Sequence, residues 1–112
     1  YCTRHFRTFV SGNVCALSFR FASDNAARMF VNNEVVFEDH FAGDADWCTT
    51  SSCCSLCCDT RENCEYVIAQ QEPFTIDMNG LQKFHGGVNE IRWEVRQDGG
   101  GSGFLTNMII SR

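Results

Sequence analysis

The sequence predicts an all-β fold, a jelly-roll-like β-sandwich of about eight short strands with a disulfide-rich loop insertion. Three observations carry this prediction. Hydrophobicity alternates with a period of two, turn residues recur between the alternating runs, and eight cysteines crowd into 112 residues. The length suits a single domain spanning residues 1–112 and is too short for two independent cores. Hydrophobic residues make up 44% of the chain, which is enough to pack one core.

The strands follow in order. In residues 14–21, Cys15, Leu17, Phe19 and Phe21 share one face, while Ala16, Ser18 and Arg20 share the other, so this run is a half-buried strand. Residues 88–96 alternate more cleanly. Ile91, Trp93 and Val95 point inward, and Glu90, Arg92, Glu94 and Arg96 point to solvent. Shorter runs at 6–10, 27–31, 34–38, 66–69, 74–78 and 104–111 complete the set, with 25–30 readable as a helical turn in the alternative. Asn32-Asn33 is placed as a two-residue hairpin turn, because Asn tolerates positive φ. Ser11-Gly12-Asn13, Asn79-Gly80, Gly86-Gly87 and the glycines after Asp98 mark further reversals. Leu17, Phe19, Phe21, Met29, Val31, Ile91, Trp93 and Val95 form the expected core. Phe has no polar handle, so most of the ten Phe are expected inside as well.

Charge narrows the function classes. The formal charge is −5, Lys83 is the only lysine, and no basic cluster interleaves with aromatics. Nucleic acid and anionic membrane surfaces are therefore poor partners. No apolar run reaches the length of a membrane span, so no membrane insertion is expected. A chain starting at Tyr1 without a leader is expected to be a mature product or an excised segment. Enzyme signatures are missing too: there is no HExxH, Ser102 lacks the flanks of a nucleophile elbow, and His5, His40 and His85 are dispersed. A non-enzymatic module is expected.

The cysteines place the protein outside the reducing cytosol, secreted or at the cell surface. Cys48, Cys53, Cys54, Cys57, Cys58 and Cys64 fall in an insertion at about 44–64 flanked by Thr, Ser and Asp, which has too little apolar content to order itself by burial. Cys2 and Cys15 lie outside it and either pair together or staple the N-terminal strand to the insertion. All eight are expected to be oxidised, and the sequence does not choose among the pairings. The rival reading is a metal or iron–sulfur site at the Cys54-x2-Cys57 spacing, against which stand the adjacent Cys-Cys pairs and the lack of histidine in the cluster. A vicinal redox bond at Cys53–Cys54 or Cys57–Cys58 is a third.

Three segments together resemble a known family. Residues 21–36, running through Ala22-Ser23-Asp24-Asn25-Ala26-Ala27-Arg28-Met29-Phe30-Val31-Asn32-Asn33, are similar to a hairpin of galactose-binding-like and PA14-like β-sandwich modules. Gly87-Val88-Asn89-Glu90-Ile91-Arg92-Trp93-Glu94-Val95 resembles one of their strands, and residues 98–105 resemble the glycine-rich loop before their last strand. The resemblance implies a jelly roll whose members are mostly carbohydrate-binding or adhesive accessories of larger proteins. Calcium-dependent adhesins of the PA14-like group hold the ion with two successive Asp. Here the pair is Asp24-Asn25, which halves the charge. The cysteine-rich insertion has no counterpart in the pattern.

Sugar binding needs an exposed aromatic plane and nearby amides or carboxylates. Trp47, beside Asp44 and Asp46 in a polar loop, fits best, with Asp24 and Asn25 as further hydroxyl partners. The more ordinary reading of Trp47 is a cap on the disulfide cluster. Asp24, Asp39, Asp44 and Asp46 are the candidate ligands for calcium, which favours several hard oxygens, and no other cofactor is implied. A solvated acidic loop is the bland alternative. The leading expectation is extracellular carbohydrate recognition or adhesion with a glycan as partner. The alternative is a structural repeat or subunit of an extracellular fibre, filament or matrix, whose partners are copies of itself or neighbouring extracellular domains.

Overall fold

The structure is a computed structural model that describes residues 2–40, 54–97 and 103–112. It is an all-β sandwich of two antiparallel sheets. Strand β1 (Cys2–Ser11) pairs with β6 (Val88–Gln97), which pairs with β3 (Ala26–Val31), which pairs with β4 (Glu34–Asp39). The second sheet sets β2 (Ala16–Asp24) between β5 (Phe74–Thr75) and β7 (Gly103–Ser111). Two helices intervene, α1 (Arg61–Ala69) and α2 (Met78–Leu81).

The period-two reading is correct where the core lies. Leu17, Phe19, Phe21, Met29, Val31, Ile91, Trp93 and Val95 are all buried in one cluster between the sheets. Trp93 stacks on Phe21 at 5.5 Å and meets Phe19 edge-on at 5.5 Å. Both asparagines of the β3–β4 turn have positive φ, 50° and 68°, as a two-residue hairpin in a right-twisted sheet requires.

Several expectations need correction. Residues 66–69 are not a strand but the last turn of α1. The helix starts at Thr60, whose hydroxyl accepts the Asn63 N–H at 3.1 Å, and it buries Cys64 and Ile68 at helical spacing. The run 74–78 yields only two strand residues before Asp77 caps α2 by accepting the Gly80 N–H. Residues 26–31 are strand, so the helical alternative for 25–30 falls. Glu94 and Arg96 are only 8% and 4% exposed rather than solvated. β6 is an interior strand, and a charge ladder closes over its outer face: Arg28 Nε meets Glu94 at 2.5 Å, and Arg7 meets Glu90 at 3.3 Å. The Arg92 guanidinium lies 4.0 Å from the Phe30 ring centroid. Phe9, on that same outer face, is 64% exposed, and Phe6 and Phe74 are also open to solvent, so fewer Phe are internal than their chemistry suggests.

The edge of β2 opposite β7 is covered piecewise. β5 pairs with Ser18 and Phe19. The Gln71 side chain then acts as a surrogate strand residue, its amide bonding both the N–H and the carbonyl of Phe21. Beyond it, Ser23 N–H donates to Leu56 O at 2.9 Å, and Cys58 N–H donates to Ser23 O at 3.1 Å. Part of the cysteine-rich insertion therefore serves as sheet edge. Each patch satisfies backbone groups that a buried edge cannot leave bare.

Candidate functional site

Each sandwich end is built differently. At the end where β6 begins, Asn89 is fully buried, and its amide nitrogen lies within 3.0–3.3 Å of the carbonyls of Gly12, His85, Val10 and Gly87. Its oxygen accepts from His85 N and from Asn32 Nδ2, both at 2.9 Å. One side chain thus ties three loops together.

The other end holds the described part of the insertion. Cys54 is bonded to Cys57, and Cys58 to Cys64. These pairings support the disulfide reading and remove the ligand set of the metal reading, since both sulfurs of the Cys54-x2-Cys57 spacing are consumed. They also exclude vicinal bonds at Cys53–Cys54 and Cys57–Cys58. Cys48 and Cys53 lie outside the described residues. Cys15 corrects the expectation of complete oxidation, because it carries a free, exposed thiol. The strand begins only at Ala16, so the inward alternation that places Leu17 and Phe19 does not reach Cys15, whose N–H donates to Ser111 O at 2.7 Å.

The residues expected to bind ligand divide. Trp47, Asp44 and Asp46 lie outside the described residues. Asp24, Asn25 and Asp39 stand at the disulfide end of the strands. Asn25 is buried where the chain crosses between sheets, its N–H donating to Arg96 O at 2.9 Å and its carbonyl accepting from Ser23 Oγ at 2.8 Å. Asp39 is buried as well. Its carboxylate accepts the Ser55 N–H at 3.1 Å, and His40 Nε2 bonds Ser55 Oγ at 3.1 Å. Asn25 and Asp39 are thus engaged in holding the backbone. Among the described residues, no group of three His, Cys, Asp or Glu is placed to hold a metal ion.

The same end opens a cleft of ≈ 220 Å³ that the sequence did not reveal. Arg4 and Phe6 of β1, Arg61 and Cys64 of α1, and Gly103, Phe104 and Leu105 of β7 line it. Phe6 and Phe104 stack with centroids 4.9 Å apart and planes 24° from parallel. Phe104 in turn touches Trp93 at 5.3 Å, so the aromatic core surfaces here, with Phe6 37% exposed. The Cys58–Cys64 bond ties the segment before α1 to the helix, and β7 packs closely against that pair. A Cβ on Gly103 would come 2.8 Å from Cys58 O and 3.0 Å from Cys64 Sγ, so only glycine permits this approach. The Arg4 guanidinium sits 5.6 Å from the Phe6 centroid, and Arg61 Nε pairs with Glu65 at 3.1 Å. Among the described residues, the lining side chains offer ring faces and guanidinium donors and no carboxylate, imidazole or hydroxyl. One signal was readable: the glycine-rich loop running into Phe104 marks a close approach of backbones.

No protein-family model matches the chain. No curated protein matches it. Among solved structures, the chain is similar to a Streptomyces avermitilis α-L-rhamnosidase crystallised with L-rhamnose, at 19% identity and a TM-score of 0.53. The match covers 96% of this chain and 8% of that protein. This likeness shows a shared β-sandwich fold. It does not extend to membership of the galactose-binding-like or PA14-like families. Among the described residues, no helix is long and apolar enough to cross a membrane.

Proposed function

We propose that this domain is a non-enzymatic, extracellular carbohydrate-recognition module, and that the cleft between β1, β7 and α1 holds the sugar. The observation carrying the reading is the stacked Phe6–Phe104 pair, whose Phe6 ring is exposed in a cleft that Arg4 and Arg61 also line. A pyranose presents a C–H face that packs on such rings and hydroxyls that accept from guanidinium N–H groups. Glycosidic cleavage uses two carboxyl groups flanking the scissile bond, and the described lining supplies neither. The sandwich also resembles a segment of a glycan-acting enzyme, and paired cysteines suit an oxidising compartment.

Glycan-array binding of the intact domain tests this. Phe6→Ala should abolish most binding while the domain still unfolds cooperatively. Retained binding by this variant, or a parent that binds no glycan, sinks the proposal.

A fibre subunit is the second reading. It is favoured by β7, which ends its sheet and exposes Ile109, an edge on which another copy can add a strand. Concentration-dependent growth in sedimentation size, with no glycan bound, would put this reading first.

A further inference from the structure

Resting on the carbohydrate reading, we infer that the cleft selects a saccharide bearing an anionic oxygen group, a uronate carboxylate or a sulfate ester, clamped between Arg4 and Arg61. The chain carries 14 acidic against 9 basic residues, yet the charged residues lining the cleft are both arginines. A neutral sugar gains only ordinary hydrogen bonds from two cations at one aromatic platform. An anionic one does, because a planar guanidinium donates paired hydrogen bonds to carboxylate or sulfate oxygens.

The two cations are differently held. Among the described residues Arg4 has no carboxylate partner, and its guanidinium hangs over Phe6, close to where a stacked ring would rest. Arg61 is 82% exposed on its side chain and bonds Glu65 through Nε. That contact orients the side chain and leaves its terminal nitrogens available. Arg61 is also the first residue of α1, so the positive end of the helix dipole lies on the same side. The exposed part of Phe6, braced by its stack on Phe104, then receives the sugar's C–H groups while the acid group turns toward the arginines. The Cys58–Cys64 bond stiffens the α1 wall, and the close approach of Gly103 to both cysteines packs β7 against it, which favours a preformed site.

Titration calorimetry of the intact domain against an oligogalacturonate, a sulfated galactan oligosaccharide and a neutral galactan oligosaccharide of equal length tests the inference. Either or both acidic probes should bind at least about tenfold tighter than the neutral one, and the stronger acidic arm identifies the group. The preference should shrink as salt rises. Arg4→Gln and Arg61→Gln should each remove about tenfold of the acidic affinity, a larger loss than the neutral probe suffers, and leave the melting temperature nearly unchanged. Arg7→Gln, which removes a cation on the outer sheet face, is the control for general charge and should change nothing. Equal binding of acidic and neutral probes overturns the inference and leaves the carbohydrate reading standing. Acidic affinity that survives both cleft substitutions, or falls equally in Arg7→Gln, also overturns it. Binding of no saccharide by the parent overturns both.

Discussion

The two ends of the sandwich solve the same problem by different means. Both must tie loops to strand ends where the hydrophobic core runs out. At the Asn89 end one buried amide does so, with every hydrogen-bonding atom used and the loops drawn tight over it. At the opposite end sulfur does it. Two short covalent rings shape residues 54–64, backbone bonds of Leu56 and Cys58 with Ser23 hold that segment on β2, and Asp39 pins its start. A hydrogen-bonded knot demands close packing and seals its end. A covalent staple fixes backbone separation without filling the space between, so a cleft survives beside it. The Asn89 end spends its polar groups on its own loops, and the disulfide end keeps the cleft on which the proposed binding rests.

Substitutions can break or sharpen this contrast. The shared core sets the scale: Trp93→Ala should cost about 3–5 kcal/mol and prevent folding at ordinary temperature, read by chemical denaturation. Trp93→Phe should cost far less. Among the described residues the buried indole Nε1–H has no acceptor, so its removal relieves part of the lost packing. A variant as damaged as Trp93→Ala would show that the indole nitrogen is paired after all. Asn89→Ala comes next, at about 3 kcal/mol, because several buried carbonyls lose their donor at once. Hydrogen exchange should quicken at the β1–β2 and β3–β4 turns and not around α1. Exchange that quickens at both ends would deny that the ends are independent. Replacing Cys58 and Cys64 together by Ala should cost about 2 kcal/mol through the freed loop entropy and should weaken ligand binding. Unchanged binding would mean that the cleft does not depend on its staple. Cys15→Ser should change stability by less than about 0.5 kcal/mol, and alkylation of the native parent should label Cys15. An unreactive Cys15 would contradict its free thiol.

What the sequence revealed follows from where each signal is written. The core strands were legible because each carries its own alternation: Leu17, Phe19 and Phe21, then Ile91, Trp93 and Val95, are inside as the period demands. The outer face of β6 was not, because the burial of Glu94 depends on Arg28 of the neighbouring strand β3, which lies far away in the chain. α1 was misread from the β-branched run at its end. The better signal was its start, Thr60 three residues before Asn63, followed by Cys64, Val67 and Ile68 on one face. The role of Asn89 was hidden within a strand motif, since nothing local announces which loops an amide will reach. The cleft was illegible for a similar reason: Phe6, Arg61 and Phe104 are far apart in the chain and meet only through the topology. The sequence pointed instead to Trp47, Asp44 and Asp46, which lie outside the described residues, and to Asp24, Asn25 and Asp39. Of these, Asn25 and Asp39 hold backbone.

The patched edge of β2 also bears on timing. Leu56 and Cys58 reach Ser23 from a segment held by two short disulfides and by the packing of Leu56 on the core, so its sulfur bonds help keep that cover in place. With its thiols reduced, the chain is expected to hold that strip of β2 backbone less firmly covered, and an uncovered edge invites another strand. Oxidation is then the step that finishes the surface as well as the interior. It divides an early, sticky form of the molecule from one that can be crowded among its neighbours without joining them.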